Sequence, residues 1–218
     1  SVERFLDEIN AGWIGRPFIR DDVVLVHRGL LPCEPSRDDV VRLMKRYRIY
    51  DHAREGMPEG ISALSVKLTE GRNVAERVVD LACRKLGRST RRSGTRSAVL
   101  PGGGIRSLED LRREAEHQAG DLLPREVIEH LVRAYGTRFT EILRYRHSYP
   151  DWNVPVAPPA PVIRAQLIHG VRVEWAQTVG DLLDRRTEIG ATGRATDEAR
   201  RVAGQILERE RVVKSPKW

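Results

Sequence analysis

The sequence predicts an α+β chain, with short strands and one long helix in a first part and helices alone in a second. Three observations predict it. Apolar and alternating runs of strand length are confined to the first 87 residues: Val23–Val26, Tyr47–Asp51 and Ile61–Val66. From about residue 105 onward the apolar residues recur at helical spacing behind capping residues. Between them lies Arg88–Gly104, rich in Ser, Gly and Arg, a composition that rarely packs. The expected division is therefore 1–87, a connection 88–104, and a helical domain 105–218.

Taken in order, Ser1 can cap a short helix carrying Phe5, Leu6 and Ile9, and Gly12, Gly15 and Pro17 end it. Val23–Val26 reads as a buried strand leading into His27-Arg28-Gly29-Leu30-Leu31-Pro32, where Gly29 permits close backbone approach. A polar loop, Glu34–Asp39, precedes the Tyr47–Asp51 strand, and the turn Gly56–Gly60 joins that strand to Ile61–Val66. A helix then starts at about Thr69, with Ala75, Val78, Val79, Ala82 and Leu86 apolar and Gly87 at its end. Three such strands and one helix bury little surface for a domain, and two-sided apolar strands expect neighbours.

In the second part, Ser107-Leu108-Glu109-Asp110 opens a helix through about His117. Pro124 starts the next, with Ile128, Leu131, Val132 and Tyr135 on one face and Gly136 as its stop. Thr137 can cap a helix with Phe139, Ile142 and Leu143 inward. Tyr149–Pro161 holds five prolines and should cross as an ordered or extended segment. A helix is expected over Pro161–Gln177, with Trp175 on its apolar face. Others start at Thr178 and at Thr196, the last burying Ala199, Val202, Ala203 and Ile206, and a basic tail follows Val213.

Composition excludes some functions and leaves others open. The 218 residues are 40% hydrophobic, enough for a core, and no apolar run is long enough to cross a bilayer. The two cysteines, Cys33 and Cys83, have no metal or disulfide spacing, and no secretory signal is visible. No metal is expected, and the compartment expected is the cytoplasm. The net charge of +7 favours an anionic partner. No Gly-x-Gly-x-x-Gly follows a leading strand, so a dinucleotide-binding start is absent. The three glycines Gly102–Gly104 lack the lysine of a phosphate loop, and the Arg-rich connection reads as solvated chain, with an anion-binding arm as the alternative.

The chemistry concentrates at Val66–Glu76. There a strand ends at Lys67 and a helix begins at Thr69, so an ammonium and a positive helix terminus aim at one point. Such a corner suits an anion or a polarised oxygen. The plainer alternative is a solvent lysine before an ordinary capped helix.

These residues carry a resemblance. Gly29-Leu30-Leu31-Pro32 is similar to a Gly-Leu-Arg-Pro motif. Lys67-Leu68-Thr69 with Arg72, Ala75 and Glu76 is similar to Gly-Lys-x-Thr-Thr-x-Arg-x-x-Ala-Glu. Val171-Arg172, Glu174, Ala176, Thr178, Asp181, Leu183 and Arg185-Arg186-Thr187 follow Val-Arg-x-Glu-x-Ala-x-Thr-x-x-Asp-x-Leu-x-Arg-Arg-Thr, and Leu131–Gly136 follows Leu-x-x-x-Tyr-Gly. On them the chain resembles the C-terminal half of the FAD-dependent glycerol-3-phosphate dehydrogenases and oxidases. The resemblance implies the last piece of an FAD- and substrate-binding α/β domain, followed by a helical cap. It implies oxidation of sn-glycerol 3-phosphate to dihydroxyacetone phosphate, with electrons passed to quinone or oxygen.

The same resemblance implies roles for residues. Gly29, Leu30, Lys67, Leu68 and Thr69 would approach the cofactor. Arg46, or Arg48 in its place, would pair with the substrate phosphate, as would Lys67. His27 and His52 flank the implied site and could serve in proton transfer, with loop or strand-edge histidines as the alternative. Three departures leave the exact substrate open: Leu31 stands for arginine, Val66 for glycine, and Glu70 for the second threonine. Glu174 is expected in a structural ion pair with Arg172, Arg185 or Arg186. Trp152 and Trp175 are expected as packing anchors.

The expected partners follow: an FAD-binding N-terminal segment or subunit, a small phosphorylated polyol, and an anionic membrane surface as a peripheral contact at its inner face. This chain alone is expected to hold no FAD tightly and to be inactive. A different class of function would fit the charge alone: a non-catalytic basic helical module that holds nucleic acid, membrane or a partner subunit, its binding falling steeply with salt. The sequence lacks the aromatic-basic interleaving that stacks bases, so nucleic acid is not expected.

Overall fold

A computed structural model describes residues 1–27, 29–35, 40–89 and 91–214. In chain order its elements are α1 (Val2–Gly12), β1 (Cys33–Glu34), β2 (Arg42–Leu43), β3 (Arg48–Asp51), β4 (Ile61–Leu64), α2 (Gly71–Lys85), α3 (Leu108–Ala119), α4 (Arg125–Tyr135), α5 (Phe139–Leu143), α6 (Arg164–Arg172) and α7 (Asp197–Lys214). Short 3-10 turns stand between them, and a π-helical turn spans Asp181–Arg185. The fold class is α+β. No helix among the described residues is long and apolar enough to cross a membrane.

By contacts the chain forms two units, His27–Val99 and the joined stretches Ser1–Val26 with Leu100–Trp218. The first 26 residues thus group with the helical unit, which differs from a boundary near residue 87 set by composition alone.

The helical unit has a dense apolar core. Ile142, Val162, Ala165, Leu167, Ile168, Leu182, Leu183, Ile189, Ala199 and Ala203 are all 0% exposed. Local capping sets its helix starts. Ser1 accepts from the Arg4 amide, Ser107 from Asp110, and Thr196 from Ala199. Thr137 caps nothing, because Gly136–Arg138 winds as a 3-10 turn into α5. The five-proline crossing is ordered, and Trp152, Val156, Ala157 and Ala160 are buried in it.

Gly102 and Gly136 clasp backbone to backbone in this unit. Both have positive φ, and Thr137 N–H donates to the Gly102 carbonyl at 3.1 Å. A Cβ on Gly136 would stand 2.0 Å from that carbonyl oxygen, and one on Gly102 would stand 2.5 Å from the Tyr135 carbonyl. Gly102 is therefore packed at the end of α4, while Gly103 and Gly104 are exposed.

Buried charge is held at the C-terminal helix. Glu210 is 0% exposed. It accepts from the Tyr149 hydroxyl at 2.8 Å and from Arg172 Nε at 2.6 Å. Arg172 and Arg209 stand over the Tyr149 ring at 5.3 and 4.6 Å.

The helix expected through Gln177 stops at Arg172. The Ala176 amide donates to Gly170, and the Asp181 carboxylate takes the Gln177 and Thr178 amides at 2.9 Å each. These local bonds outcompete helix propagation. Trp175 is left 79% exposed at φ +60, so it is not a packing anchor. Thr178 does cap the following turn, accepting from Asp181 N–H at 3.0 Å. The Gln177 amide is the first cause that pushes the Asp181 carboxyl down to about 2. A depressed carboxylate contributes stability above its unfolded value of 3.8, lost as pH falls toward about 2. Asp181→Asn should therefore lower the thermal midpoint at neutral pH, with the gap to wild type closing in acid. A gap independent of pH would contradict this assignment.

The unit His27–Val99 is thinly packed, with Met44 and Val74 its buried apolar residues among those described. β1 pairs antiparallel with β2, and β3 with β4 in the register Arg48↔Leu64 to Asp51↔Ile61. The β1–β2 pair has two residues a side and was not visible in the sequence pattern. Part of the expected Glu34–Asp39 loop is β1, and residues 36–39 lie outside the described ones, as does Arg28. Val23–Val26 is not a strand. It follows a 3-10 turn at Arg20–Asp22, Val24 to Val26 are exposed, and no described residue pairs with it. β-branched composition supplies a fit to a sheet but not the sheet. Ile61–Val66 is likewise shorter and more exposed than expected, ending at Leu64. The α2 stop matches expectation: Gly87 has φ +64, and the amides of Gly87 and Arg88 return to Arg84 and Cys83.

Candidate functional site

The β3–β4 hairpin decides which candidate residues meet. Its antiparallel register sets the start of β3 beside the end of β4. Arg46 and Arg48 therefore stand at the same sheet end as Lys67, which follows β4 by three residues. His52 stands at the other end, four residues along from Arg48 or roughly 13 Å.

Lys67 leads a 3-10 turn, Leu68–Glu70, that runs directly into α2. The Leu68 and Thr69 amides begin that turn and have no partner within it. Lys67, Leu68 and Thr69 are all exposed, so ammonium and amides present an open face. Thr69 does not cap the helix, since it lies inside the 3-10 turn and α2 starts at Gly71 with no side-chain cap. Glu70 is half-buried, with one carboxylate oxygen out of contact with solvent and without a hydrogen-bond partner. The charge on the open face is thus that of Lys67.

α2 is fixed to the hairpin from two ends. Asn73 donates to the Tyr47 hydroxyl at 3.3 Å and Arg77 covers the Tyr47 ring at 5.7 Å, while Lys85 ion-pairs with Asp51. Tyr47 and Asn73 position the corner, yet neither carries a sequence signal beyond its place in the strand or helix.

A groove of about 450 Å3 opens beside the start of β3. Arg42, Lys45, Arg46, Tyr47 and Arg48 line it with Glu34. Arg48 is ion-paired with Glu34, so Arg46 is the more open of the two arginines. His27, Gly29, Leu30 and Leu31 are exposed. A Cβ at Gly29 would meet nothing within 4 Å, so nothing described here requires a glycine there.

His52 is engaged at both ring nitrogens. Nδ1 lies 2.8 Å from Glu55 and Nε2 lies 2.8 Å from the Ser62 hydroxyl. That arrangement staples the turn after β3 to β4 and leaves no ring nitrogen open to a substrate. Among the described residues no His, Cys, Asp or Glu cluster could hold a metal.

In the helical unit, Glu174 is half-buried. Burial pushes its carboxyl up, against the nearby charges of Arg186 and Arg138. Of the three partners expected for it, Arg172 pairs with Glu210, Arg185 with Asp181, and Arg186 donates to the Glu174 carbonyl at 2.8 Å.

Residues 93–214 match the family model for the C-terminal domain of alpha-glycerophosphate oxidase. A glycerol-3-phosphate dehydrogenase of Synechocystis is 32% identical over 191 residues, which cover 87% of this chain and 34% of the relative. The aerobic glycerol-3-phosphate dehydrogenase of Escherichia coli is 27% identical over 193 residues, 87% of this chain and 37% of the relative. Glycerol-3-phosphate dehydrogenase 1 of Mycobacterium tuberculosis is 30% identical over 210 residues, 96% of this chain and 38% of the relative. The chain thus spans between 34% and 38% of the length of these curated relatives.

Proposed function

The chain belongs to the family of the C-terminal domain of alpha-glycerophosphate oxidase, and from that premise we propose that it is the carboxyl-terminal portion of an FAD-dependent glycerol-3-phosphate dehydrogenase. The single observation that carries the reading is the open cationic corner at Lys67, Leu68 and Thr69, at one sheet end with Arg46 and Arg48. The donor set fits the group: an ammonium and free amides suit the ring edge that gathers negative charge on reduction. When bound, FAD would supply the hydride acceptor. Lys67 and the amides after it would hold the developing charge, and Arg46 would orient the phosphate of the polyol. The rest of the cofactor site would come from flavin-binding polypeptide outside residues 1–218.

The purified chain alone should retain no stoichiometric FAD and show no turnover. Combined with the upstream, flavin-binding portion of a relative, it should let sn-glycerol 3-phosphate bleach the flavin absorbance. Lys67→Met in that assembly should slow bleaching by about 100-fold. A yellow chain on its own, or bleaching indifferent to Lys67, would sink the proposal.

A further inference from the structure

A buried polar chain at the start of α6 fixes its own proton positions. Gln166 is 1% exposed, and its Oε1 accepts from the Ile163 amide at 3.1 Å. A backbone N–H can only donate, so this bond sets which way the side-chain amide points. Gln166 Nε2 must then face His130 Nε2, 3.0 Å away, and the Tyr135 hydroxyl at 3.4 Å. An amide nitrogen also only donates, so His130 Nε2 is the acceptor. The imidazole proton sits on Nδ1, 3.3 Å from Glu188.

His130 therefore cannot take a second proton without setting two donors face to face. Turning the Gln166 amide over would relieve that clash but would strip the Ile163 amide of its acceptor. We propose that His130 and Gln166 form a proton-operated latch on the N-terminus of α6. With His130 neutral, Gln166 serves both partners. Uptake of one proton at His130 Nε2 forces Gln166 to abandon one of them, and the first turn of α6 opens.

Burial sets the direction, against the charge that faces the ring. Glu188 faces His130 at 3.3 Å, and Tyr135 shares Gln166 with it. Glu174, Glu188 and Tyr145 act on Tyr135, which meets the His169 ring at 5.6 Å, and Glu141 and Arg138 act on His169. Burial lowers the His130 pKa, opposed by the Glu188 charge. It lowers the pKa of His169 too, opposed by Glu141 4.0 Å away. A histidine depressed on folding contributes stability above its unfolded pKa of 6.5, lost as pH falls below it. The latch accordingly opens on acidification.

The test is NMR of the full chain from about pH 7.5 down through the His130 midpoint, which burial sets below the ordinary histidine value. At the upper pH the His130 nitrogen shifts should report the Nδ1–H tautomer. As His130 protonates, amide-exchange protection at Gln166 and Leu167 should fall about tenfold, and Leu183 and Ala203 should keep theirs. Gln166→Glu keeps an acceptor for Ile163 and offers a second one to His130 Nε2–H. It should raise the His130 midpoint by about one unit or more and abolish the acid loss at α6. An Nε2–H tautomer, protonation without loss at α6, loss spread evenly over the unit, or a Gln166→Glu midpoint left in place would overturn the latch. The wild-type titration decides the matter even if the variant does not fold.

Discussion

Glu210→Ala should cost the helical unit about 2–3 kcal/mol, the typical penalty for removing a buried, charge-assisted hydrogen-bond acceptor. The carboxylate is wholly buried and takes the Tyr149 hydroxyl, Arg172 Nε and, at 3.3 Å, Arg209 Nε, while both guanidinium side chains keep about a third of their surface in solvent. Truncation would leave the phenol without an acceptor and the Arg172 guanidinium beside an apolar void, and both groups are tied to α6 or to the proline-rich crossing. Glu210→Gln should cost less, because it retains the shape and one acceptor oxygen. The double change Glu210→Leu with Arg172→Met should recover only part of the loss, since the Tyr149 hydroxyl still lacks its acceptor and Arg209 its carboxylate. Urea unfolding followed by far-ultraviolet dichroism measures all three. A loss under about 1 kcal/mol for Glu210→Ala would mean that water replaces the carboxylate at no great penalty.

Gly136→Ala should cost about 4 kcal/mol, and Gly120→Ala about 2 kcal/mol. The two positions separate two effects. Both pair a positive φ with a strongly negative ψ, +57 with −135 and +55 with −143, a region that glycine alone enters freely. At Gly120 a Cβ would meet nothing within 4 Å, so only the backbone conformation is penalised. At Gly136 the Cβ would fall 2.0 Å from the Gly102 carbonyl oxygen, and backbone must move to admit it. Equal losses in the two variants would show that the clasp yields freely.

The helical part of the fold was legible because its punctuation is local. Ser1, Ser107, Thr178 and Thr196 cap from within three residues of their partners, and Gly87 and Gly136 stop helices by their own backbone freedom. Strands were less legible because each depends on a distant partner. Val23–Val26 has the composition of a strand without a mate among the described residues, and β1 and β2 pair over runs too short to show a period. Trp175 misled because helical spacing continued past Arg172, where the Asp181 carboxylate captures the backbone. In the candidate site, Lys67 at a strand end was readable from the pattern. Its neighbours were not. Only the hairpin register sets Lys67 with Arg46 and carries His52 away to Ser62 and Glu55. The His130–Gln166 contact joins residues 36 apart and left no trace in periodicity.

The division at His27 and Val99 also sorts the chromophores. The four tryptophans, Trp13, Trp152, Trp175 and Trp218, all fall outside that span, whereas Tyr47 and Tyr50 fall within it. Indole emission therefore reports on the helical unit and is blind to the strand-bearing one. Within that signal, Trp152 is 6% exposed and Trp175 is 79% exposed, so the blue edge of the band belongs to the interior and the red edge to the surface. A single fluorescence trace of unfolding would count one transition where the chain has room for two, and the other would show in the absorbance of Tyr47 and Tyr50, superimposed on that of Tyr135, Tyr145 and Tyr149.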